Sequence, residues 1–242
     1  MGTATQTEVK EQIDLMYSLI HQQVDAIVLV PIDSKALVQP AVEAVRKGIP
    51  VINIDIQLDA QLLEQAGVEV AFVGPDNFAA AYEVGKLLGK KLRNEDKVAI
   101  IEGLAAADNA RQRKRGFIKA IEEKGLRLVA SEPADWETEK AAEVFQAMWM
   151  RYPDLKAVYC SNDAMALGVL QQMQEKKCYL PVVGFDNDAV MKEFLATGKL
   201  VATADIFSSQ MAVRGIEFAL DVLEGRIENR GVHSTAYEII RQ

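Results

Sequence analysis

Side chains that can accept hydrogen bonds follow nearly every apolar run of this 242-residue chain. The runs at 51–54, 157–160, 182–185 and 201–204 have the length and β-branched content of buried strands. Open α/β sheets bind ligands at the carboxyl ends of their strands, so acceptors at those ends are candidate contacts for a ligand rich in hydroxyl groups. Within two residues of these four runs stand Asp55, Asn162, Asp186 and Asp205.

Two further side chains supply chemistry that carboxylates and amides lack. Arg111 lies near the start of a predicted helix, and its guanidinium donates hydrogen bonds in a fixed fork. Trp136 follows the strand predicted at 126–130, and its aromatic face can stack on C–H surfaces. Sugar recognition needs acceptors, a forked donor and an aromatic face together, so these residues are expected to bind a sugar or polyol.

Other carboxylates near strand ends have a simpler explanation. Aspartate is favoured at helix N-caps and in turns, and a short loop between a strand and a helix is where a cap belongs. The residues interpreted as caps or turn residues are Asp33, Asp76, Asp163 and Asp188.

The sequence contains no recognisable catalytic motif. No Gly-x-Gly-x-x-Gly opens a helix, no Gly-x-Ser-x-Gly occurs, and segment 85–91 lacks the spacing and hydroxyl of a phosphate-binding loop. The two histidines, His21 and His233, are far apart in sequence, and Cys160 and Cys178 fit no metal motif and are expected to be unpaired thiols. We therefore expect a binding protein rather than an enzyme, with no metal and no cofactor.

Composition and charge exclude several classes of partner. Half of the residues are hydrophobic, as in ordinary globular proteins, and the net charge of −8 argues against binding to nucleic acid or to an anionic membrane surface. The longest apolar runs are strand-sized, so no transmembrane helix is expected. The start of the chain has no charged region followed by an apolar one, so no signal peptide is predicted within it.

Apolar runs of strand length alternate with helical patterns along the chain, which predicts a doubly wound α/β fold with largely parallel sheets. Strands are predicted near 26–30, 50–55, 70–73, 97–102, 126–130, 157–160, 181–185 and 200–204. Helices are predicted near 8–22, 34–47, 77–93, 110–124, 137–151, 163–176, 188–196 and 208–224. Breaks at 74–75 and 205–208 favour a division into two lobes.

Five segments resemble the periplasmic sugar-binding proteins of the ribose-binding type, which share their fold with the cores of lac-repressor-like regulators. The segments are 51–55 (VINID), 103–117 (a G…AxxRxxGF pattern), 133–136 (PADW), 160–168 (CSNDAMALG) and 182–186 (VVGFD). The resemblance implies a type I periplasmic-binding-protein-like fold with ligand bound between two lobes.

Residue by residue, the resemblance implies that Asp55, Arg111, Trp136, Asn162 and Asp186 contact the sugar. Ile56 stands where ribose binders carry an arginine, and Ile206 where they carry a glutamine, which puts ribose itself in question. Asp205, directly before Ile206, is a candidate to compensate.

The resemblance also implies how the lobes are built. The first lobe would hold 1–74 and 207–233, and the second 75–206 and 234–242. Family members have a strand, a helix and a second strand before the helix at 8–22, a unit of roughly 35–45 residues. The first lobe is therefore expected to be incomplete, with exposed apolar surface through which the chain could associate with another copy.

The function implied by the resemblance is that of the binding component of an ABC sugar transporter, placed outside the cytoplasm and partnered by a membrane permease. One alternative is the effector-binding core of a lac-repressor-like transcription regulator without its DNA-binding headpiece, although no helix-turn-helix or basic patch is present. An enzyme on the same fold is a third alternative.

Overall fold

The structure, a computed structural model, describes residues 2, 3, 5 and 7–241, and the predicted outer ends of the lobes, Met1 and Gln242, lie outside the described residues. The chain divides into two compact units. The segments of the first unit are the chain up to Pro75, Ala106–Asn109 and Phe207–Ala236. The segments of the second unit are Asp76–Ala105, Ala110–Ile206 and the chain from Tyr237.

Strands and helices alternate along most of the described chain. The strands are β1 (Ile27–Leu29), β2 (Val51–Ile54), β3 (Phe72–Pro75), β4 (Lys97–Glu102), β5 (Arg127–Pro133), β6 (Ala157–Cys160), β7 (Val182–Val183), β8 (Leu200–Asp205), β9 (Val232–Thr235) and β10 (Glu238–Arg241). The helices are α1 (Val9–His21), α2 (Val38–Arg46), α3 (Ala60–Ala66), α4 (Asn77–Gly89), α5 (Asp108–Lys124), α6 (Thr138–Arg151), α7 (Asp163–Glu175), α8 (Met191–Ala196) and α9 (Ser208–Leu223). Of the helices among the described residues, none combines the length and the hydropathy needed to cross a lipid bilayer.

The first unit is built on a parallel sheet with the strand order β1-β2-β3-β9. Its core forms where residues in and around α1 and α2 pack against β1 and β2. These core residues are almost fully buried and include Met16, Ile20, Leu37, Val42 and Val51.

Pro75 and two short segments belong to the first unit, although the sequence placed them in the second lobe. Residues 234–236 group with the first unit because β9, which was not predicted as a strand, pairs with β3. Residues 106–109 group there too, and the Ser34 backbone N–H and hydroxyl bond to Ala106 and Asp108. Hydrogen bonds between residues distant in sequence decided both placements, and local patterns do not encode them.

The second unit contains a six-stranded sheet with the order β10-β8-β7-β6-β4-β5. β10 runs antiparallel to β8 and the other strands are parallel, so the carboxyl ends of β4, β5, β6, β7 and β8 lie along one edge of the sheet. One face is covered by α6 and α7, whose Phe145, Met165 and Val169 are fully buried against Val158 and Cys160 of β6.

Two helices begin later than the sequence pattern predicts: α2, predicted from 34, begins at Val38, and α8 begins later as well. The predicted helix at 188–196 starts at Met191 as α8, because Asp186 and Asn187 adopt positive φ angles of 109° and 60°. Such angles are costly for residues other than glycine and cannot continue into a helix. The chain therefore makes a tight loop after β7 before α8 begins.

The first unit exposes apolar side chains on an edge strand and along one helix. Val28 and Val30, in and next to the edge strand β1, are 37% and 39% exposed. One side of α9 presents four residues that are each about half exposed: Val213, Ile216, Leu220 and Leu223. Exposed apolar patches of this kind mark surfaces that associate.

A buried tyrosine in the second unit makes a prediction about stability. The Tyr159 ring is fully buried and packs 5.3 Å from the Phe117 ring, and its hydroxyl has no hydrogen-bond partner among the described residues. Burial also raises the pKa of this hydroxyl. Replacing Tyr159 with Phe removes the unsatisfied group and keeps the packing, so the free energy of unfolding is expected to stay equal or to rise by about 1 kcal/mol.

Urea denaturation of wild type, Tyr159→Phe and Tyr159→Ala measures this effect. The alanine variant is the comparison that removes the ring, and it should lose about 3–5 kcal/mol because it leaves a cavity. A phenylalanine variant that loses more than about 1 kcal/mol contradicts the assignment of an unsatisfied hydroxyl.

Candidate ligand-binding site

The second unit holds one deeply buried arginine at the carboxyl edge of its sheet. Arg113, on α5, is 2% exposed. Its Nε donates to Oδ1 of Asn77 at 2.9 Å, and its Nη1 donates to the backbone oxygen of Ser161 at 2.8 Å. The same Nη1 lies 3.4 Å from Oδ1 of Asp186. The guanidinium is therefore held in one orientation by residues that follow three different strands.

Two aromatic rings flank the Arg113 guanidinium. Its central carbon lies 3.7 Å from the ring centroid of Phe185 and 5.5 Å from that of Trp136. Cations over aromatic faces are attracted by the ring quadrupole, most strongly where water is excluded. A planar donor between aromatic faces, beside a carboxylate, offers both the polar and the apolar contacts that a sugar presents.

Sequence reasoning selected Arg111 and missed Arg113, two residues further along the same helix. Residues two apart in a helix do not face each other, so α5 can turn only one of them inward. Arg111 is partly exposed, and its Nη1 donates to the backbone oxygen of Ala105 at 3.0 Å. A contact of Arg111 with a ligand stays a prediction.

A signal for Arg113 was present in the sequence as helical spacing. The buried positions of α5 recur every three or four residues, and Arg113 falls on that stripe: Ala110, Arg113, Phe117, Ala120 and Ile121. An arginine on an otherwise apolar stripe is buried and must be paired, which marks it as a candidate site residue.

Trp136 reaches the site through an unusual backbone and a glycine. Asp135 and Trp136 both have positive φ angles, of 51° and 71°. The indole lies so close to Gly103, which follows β4, that a Cβ there would come within 2.0 Å of the ring atom Cη2. The strained turn and the missing side chain together let the indole lie beside Arg113.

Asp186 and Asp205 lie close together because β7 and β8 are neighbours. The backbone N–H of Asp186 donates to the oxygen of Ala204 at 2.7 Å. Asn187 then donates from Nδ2 to Oδ2 of Asp205 at 2.9 Å. The loop after β7 therefore places the Asp186 carboxylate next to Arg113, and its Asn187 amide binds the Asp205 carboxylate.

Asn162 also serves as a helix cap, and the contact with a ligand that was predicted for it stays a prediction. It is the N-cap of α7, and its Oδ1 accepts from the backbone N–H of Met165 at 2.9 Å. The cap uses one acceptor position of the oxygen, so the amide nitrogen is available as a donor to a ligand.

The interpretation of the other aspartates as caps and turns is confirmed for all but Asp163. Asp76 caps α4, Asp33 accepts from the backbone of the next turn, and Asp188 lies in the turn before α8. Asp163 is wrong as a cap, because Asn162 caps α7 and the Asp163 carboxylate instead bonds to Thr203 and to the backbone N–H of Asp188.

Asp55 belongs to the first unit, where a buried asparagine shapes its turn. Asp55 follows β2 with a positive φ of 62°, and its backbone N–H donates to Val73. Asn53 is 1% exposed, donates to the oxygens of Leu29 and Ile56, and accepts from the N–H of Leu58. The turn is thereby held, although a contact of Asp55 with a ligand stays a prediction.

The two departures from the ribose-binding pattern are core residues. Ile56 is 5% exposed and Ile206 is 3% exposed. Neither side chain can replace the hydrogen bonds of the arginine or glutamine that the resemblance implies at these positions, because both are apolar and buried.

Comparison with known proteins identifies the family. Residues 2–227 match the family described as "Periplasmic binding protein domain". The chain belongs to this family. Its α/β fold is confirmed by a solved relative, an ABC transporter solute-binding protein from Burkholderia multivorans, which is 38% identical with a TM-score of 0.95. The match covers 99% of this chain and 86% of that one.

Two further members connect this family match to sugars. The D-ribose/D-allose-binding protein of Pseudomonas aeruginosa is 40% identical over 99% of this chain and 76% of its own length. A periplasmic solute-binding protein of an ABC transporter from Actinobacillus succinogenes, solved with bound D-allose, is 31% identical with a TM-score of 0.90 over 96% of this chain and 84% of that chain. The resemblance to the ribose-binding type is confirmed by these matches.

The contact between Gly103 and Trp136 predicts a spectroscopic change. Gly103→Ala places a methyl group against the indole and should displace Trp136, at a cost of about 1–3 kcal/mol in unfolding free energy. The chain has two tryptophans, so the emission of Trp136 is measured alone in a Trp149→Phe background.

Gly89→Ala is the matched control, because a Cβ there meets only the flexible Lys124 side chain, at 3.4 Å. The emission maximum should shift in Gly103→Ala and stay unchanged in Gly89→Ala. Equal spectra for both variants would contradict the close approach of the indole to Gly103.

Proposed function

We propose that this protein binds a monosaccharide at the carboxyl edge of the second unit's sheet and serves an ABC permease as its extracytoplasmic binding component. The observation that carries the proposal is the buried Arg113, held between Phe185 and Trp136 and beside Asp186. A guanidinium has five N–H donors, and Asn77 and Ser161 take two of them. The Arg113 guanidinium therefore keeps N–H groups that can donate to sugar hydroxyls.

The polar groups near Arg113 match the rest of a sugar. Asp186 and Asp205 accept from hydroxyls, Asn162 donates through its amide nitrogen, and Trp136 covers the C–H face of the ring. No described residue in this set forms a nucleophile–base pair, which supports binding rather than catalysis. The relatives named above bind sugars or work in ABC transport, which favours this function over the core of a transcription regulator.

D-Allose is proposed as the preferred ligand, with D-ribose bound more weakly. The two sugars have the same configuration at carbons 2, 3 and 4, so one arrangement of donors and acceptors can bind both. D-Allose and D-ribose are in the name of one relative, and D-allose is bound in another. The buried Ile56 and Ile206 remove the polar contacts that the ribose-binding pattern has, which disfavours ribose.

Calorimetric titration with D-allose, D-ribose, D-glucose and myo-inositol tests the proposal. Arg113→Ala leaves Asp186 without its charged partner and is expected to cost about 2–4 kcal/mol, a loss of roughly 30- to 1000-fold in affinity. Arg111→Ala, which changes a partly exposed arginine of the same helix, tests the ligand contact predicted from the sequence, and a change in Kd of less than about threefold would speak against that contact.

Two outcomes would overturn this assignment. An Arg111→Ala variant that loses as much affinity as Arg113→Ala moves the binding role to Arg111. The absence of heat with all four sugars, in a protein that unfolds cooperatively, rejects monosaccharide binding. Asp55→Ala in the same series tests the contact predicted from the first unit.

We also propose that two copies associate through the exposed apolar side of α9. An apolar stripe at helical spacing, which polar residues do not interrupt, is formed there by Val213, Ile216, Leu220 and Leu223.

Sedimentation velocity at increasing protein concentration should show a dimer, and Ile216→Asp should abolish it. Val190→Asp, at an equally exposed valine in the second unit, is the control and should leave the dimer intact. A monomer at all concentrations contradicts this proposal.

A further inference from the structure

A fully buried carboxylate supports the loop that carries Asp186. Asp163, at the start of α7, is 0% exposed. Its Oδ2 accepts from the backbone N–H of Asp188 and its Oδ1 accepts from the hydroxyl of Thr203, each at 2.9 Å. The backbone N–H of Asp163 itself donates to the oxygen of Phe185 at 2.7 Å. One residue thus bonds to the loop after β7 at two points and to β8 at a third.

Thr203 extends this network to the residue next to Asp186. Its hydroxyl oxygen accepts from the backbone N–H of Asn187 at 3.2 Å while its proton goes to Asp163. Thr203 is also fully buried. Asp186 and Asn187 therefore lie between Phe185, which accepts from the backbone N–H of Asp163, and Asp188, whose N–H donates to the Asp163 carboxylate.

A glycine makes room for this carboxylate. A Cβ at Gly184, two residues before Asp186, would come within 2.0 Å of Oδ1 of Asp163. The backbone at Gly184 and the carboxylate therefore approach each other more closely than any other residue would allow. Gly184 therefore stands at a position where the Asp163 carboxylate leaves no room for a side chain.

The loop needs external support because its backbone is strained. Positive φ angles at Asp186 and Asn187 cost of order 1–3 kcal/mol each and persist only where surrounding contacts impose them. The hydrogen bonds that Asp163 and Thr203 accept from Asp188 and Asn187 are among those contacts, together with the bond from the Asp186 N–H to Ala204 and the bond from Asn187 to Asp205. Without them the loop would relax, and Asp186 would leave its position 3.4 Å from Arg113.

We propose that Asp163 is a positioning residue for sugar binding, which in its ionised form holds the 185–188 loop in the geometry that presents Asp186 to Arg113 and the ligand. This inference rests on the proposed function, because it concerns the same site. Asp163 acts through the loop and does not itself touch the sugar. Protonation of Asp163 removes one of its acceptor positions, so its hydrogen bond with Thr203 or with the N–H of Asp188 is weakened. Part of the free energy of sugar binding must then be used to restore the loop geometry, which lowers the affinity.

Burial and charge at this carboxylate place its ionisation in an accessible pH range. Burial is the main cause that raises the pKa of Asp163 to about 7, with a smaller contribution from Asp188, while the hydrogen bonds oppose the shift. The titratable and charged groups around it are Cys160 on β6, Asp186 and Asp188 in the loop after β7, Arg113 from α5 and Asp205 at the end of β8.

Stability and binding should respond to this ionisation in opposite directions. The pKa of Asp163 is higher in the folded protein than its ordinary value of 3.8, so its contribution to the free energy of unfolding falls as the pH rises from about 4 to 7. Sugar affinity should rise over the upper part of that range, because the ionised carboxylate holds the loop. If Asp163 had a structural role alone, the free energy of unfolding and the sugar affinity would change in the same direction with pH.

Titration of D-allose at several pH values between 5.5 and 8 measures the effect. The wild-type Kd should weaken by about tenfold from pH 8 to pH 5.5. Asp163→Asn should bind at all pH values with the weak affinity that wild type has at low pH. Both histidines, His21 and His233, are intact in Asp163→Asn, so the variant separates the effect of Asp163 from any effect of the histidines.

Thr203 supplies a second, independent pair of variants. Thr203→Val removes the hydroxyl and should weaken binding, whereas Thr203→Ser keeps the hydroxyl and should restore wild-type affinity and its pH profile. Asp154→Asn is the matched carboxylate-to-amide control, because Asp154 is an exposed residue paired with Lys97, and its profile should equal that of wild type.

The proposal is overturned if wild-type affinity is flat over this range, if Asp163→Asn keeps the wild-type profile, or if Thr203→Ser fails to restore binding. Should no sugar bind at any pH, the proposed function fails, and NMR decides the inference separately. The amide signals of Asn187 and Asp188 should titrate with a midpoint near 7 in wild type and not in Asp163→Asn. Amides that do not titrate in wild type overturn the loop's dependence on Asp163.

Discussion

A guanidinium buried inside a folded unit is costly unless its charge is paired and its N–H groups find acceptors. Arg113 meets that requirement with Asn77 at the start of α4, Ser161 after β6 and Asp186 after β7. Since these partners come from three segments that are distant in sequence, the charge is both buried and paired only in the folded unit. The candidate site and the packing of the sheet edge therefore depend on the same interaction.

The loops that surround Arg113 share a common physical device. At Trp136 and at Asp186 the chain adopts positive φ angles, and a glycine makes room nearby: Gly103 for the Trp136 indole, and Gly184 for the Asp163 carboxylate that supports the Asp186 loop. Strain of this kind is tolerated where other contacts over-determine the backbone. For Asp186 those contacts include hydrogen bonds to the buried Asp163 carboxylate, so the geometry of the site depends on whether that carboxylate is ionised.

Much of the fold and part of the site could be predicted from local patterns. The continuous apolar runs became buried parallel strands, and β4 and β6 begin and end where they were expected. Asp33 and Asp76 were interpreted as turn and cap residues, and the structure confirms both. The place of Arg113 on the buried stripe of α5 is a signal carried by helical spacing, whereas the motif that favours Arg111 does not contain that spacing.

The amino-acid sequence by itself determined the α/β alternation, the carboxyl-edge placement of Asp186 and Asp205, and the family to which the chain belongs. It did so because strand length, burial and cap preference are local properties. Only the tertiary structure decided that Asp163 is a buried cross-link and that β9 joins the first unit's sheet. These outcomes depend on hydrogen bonds between residues distant in sequence, whose energies no local pattern contains.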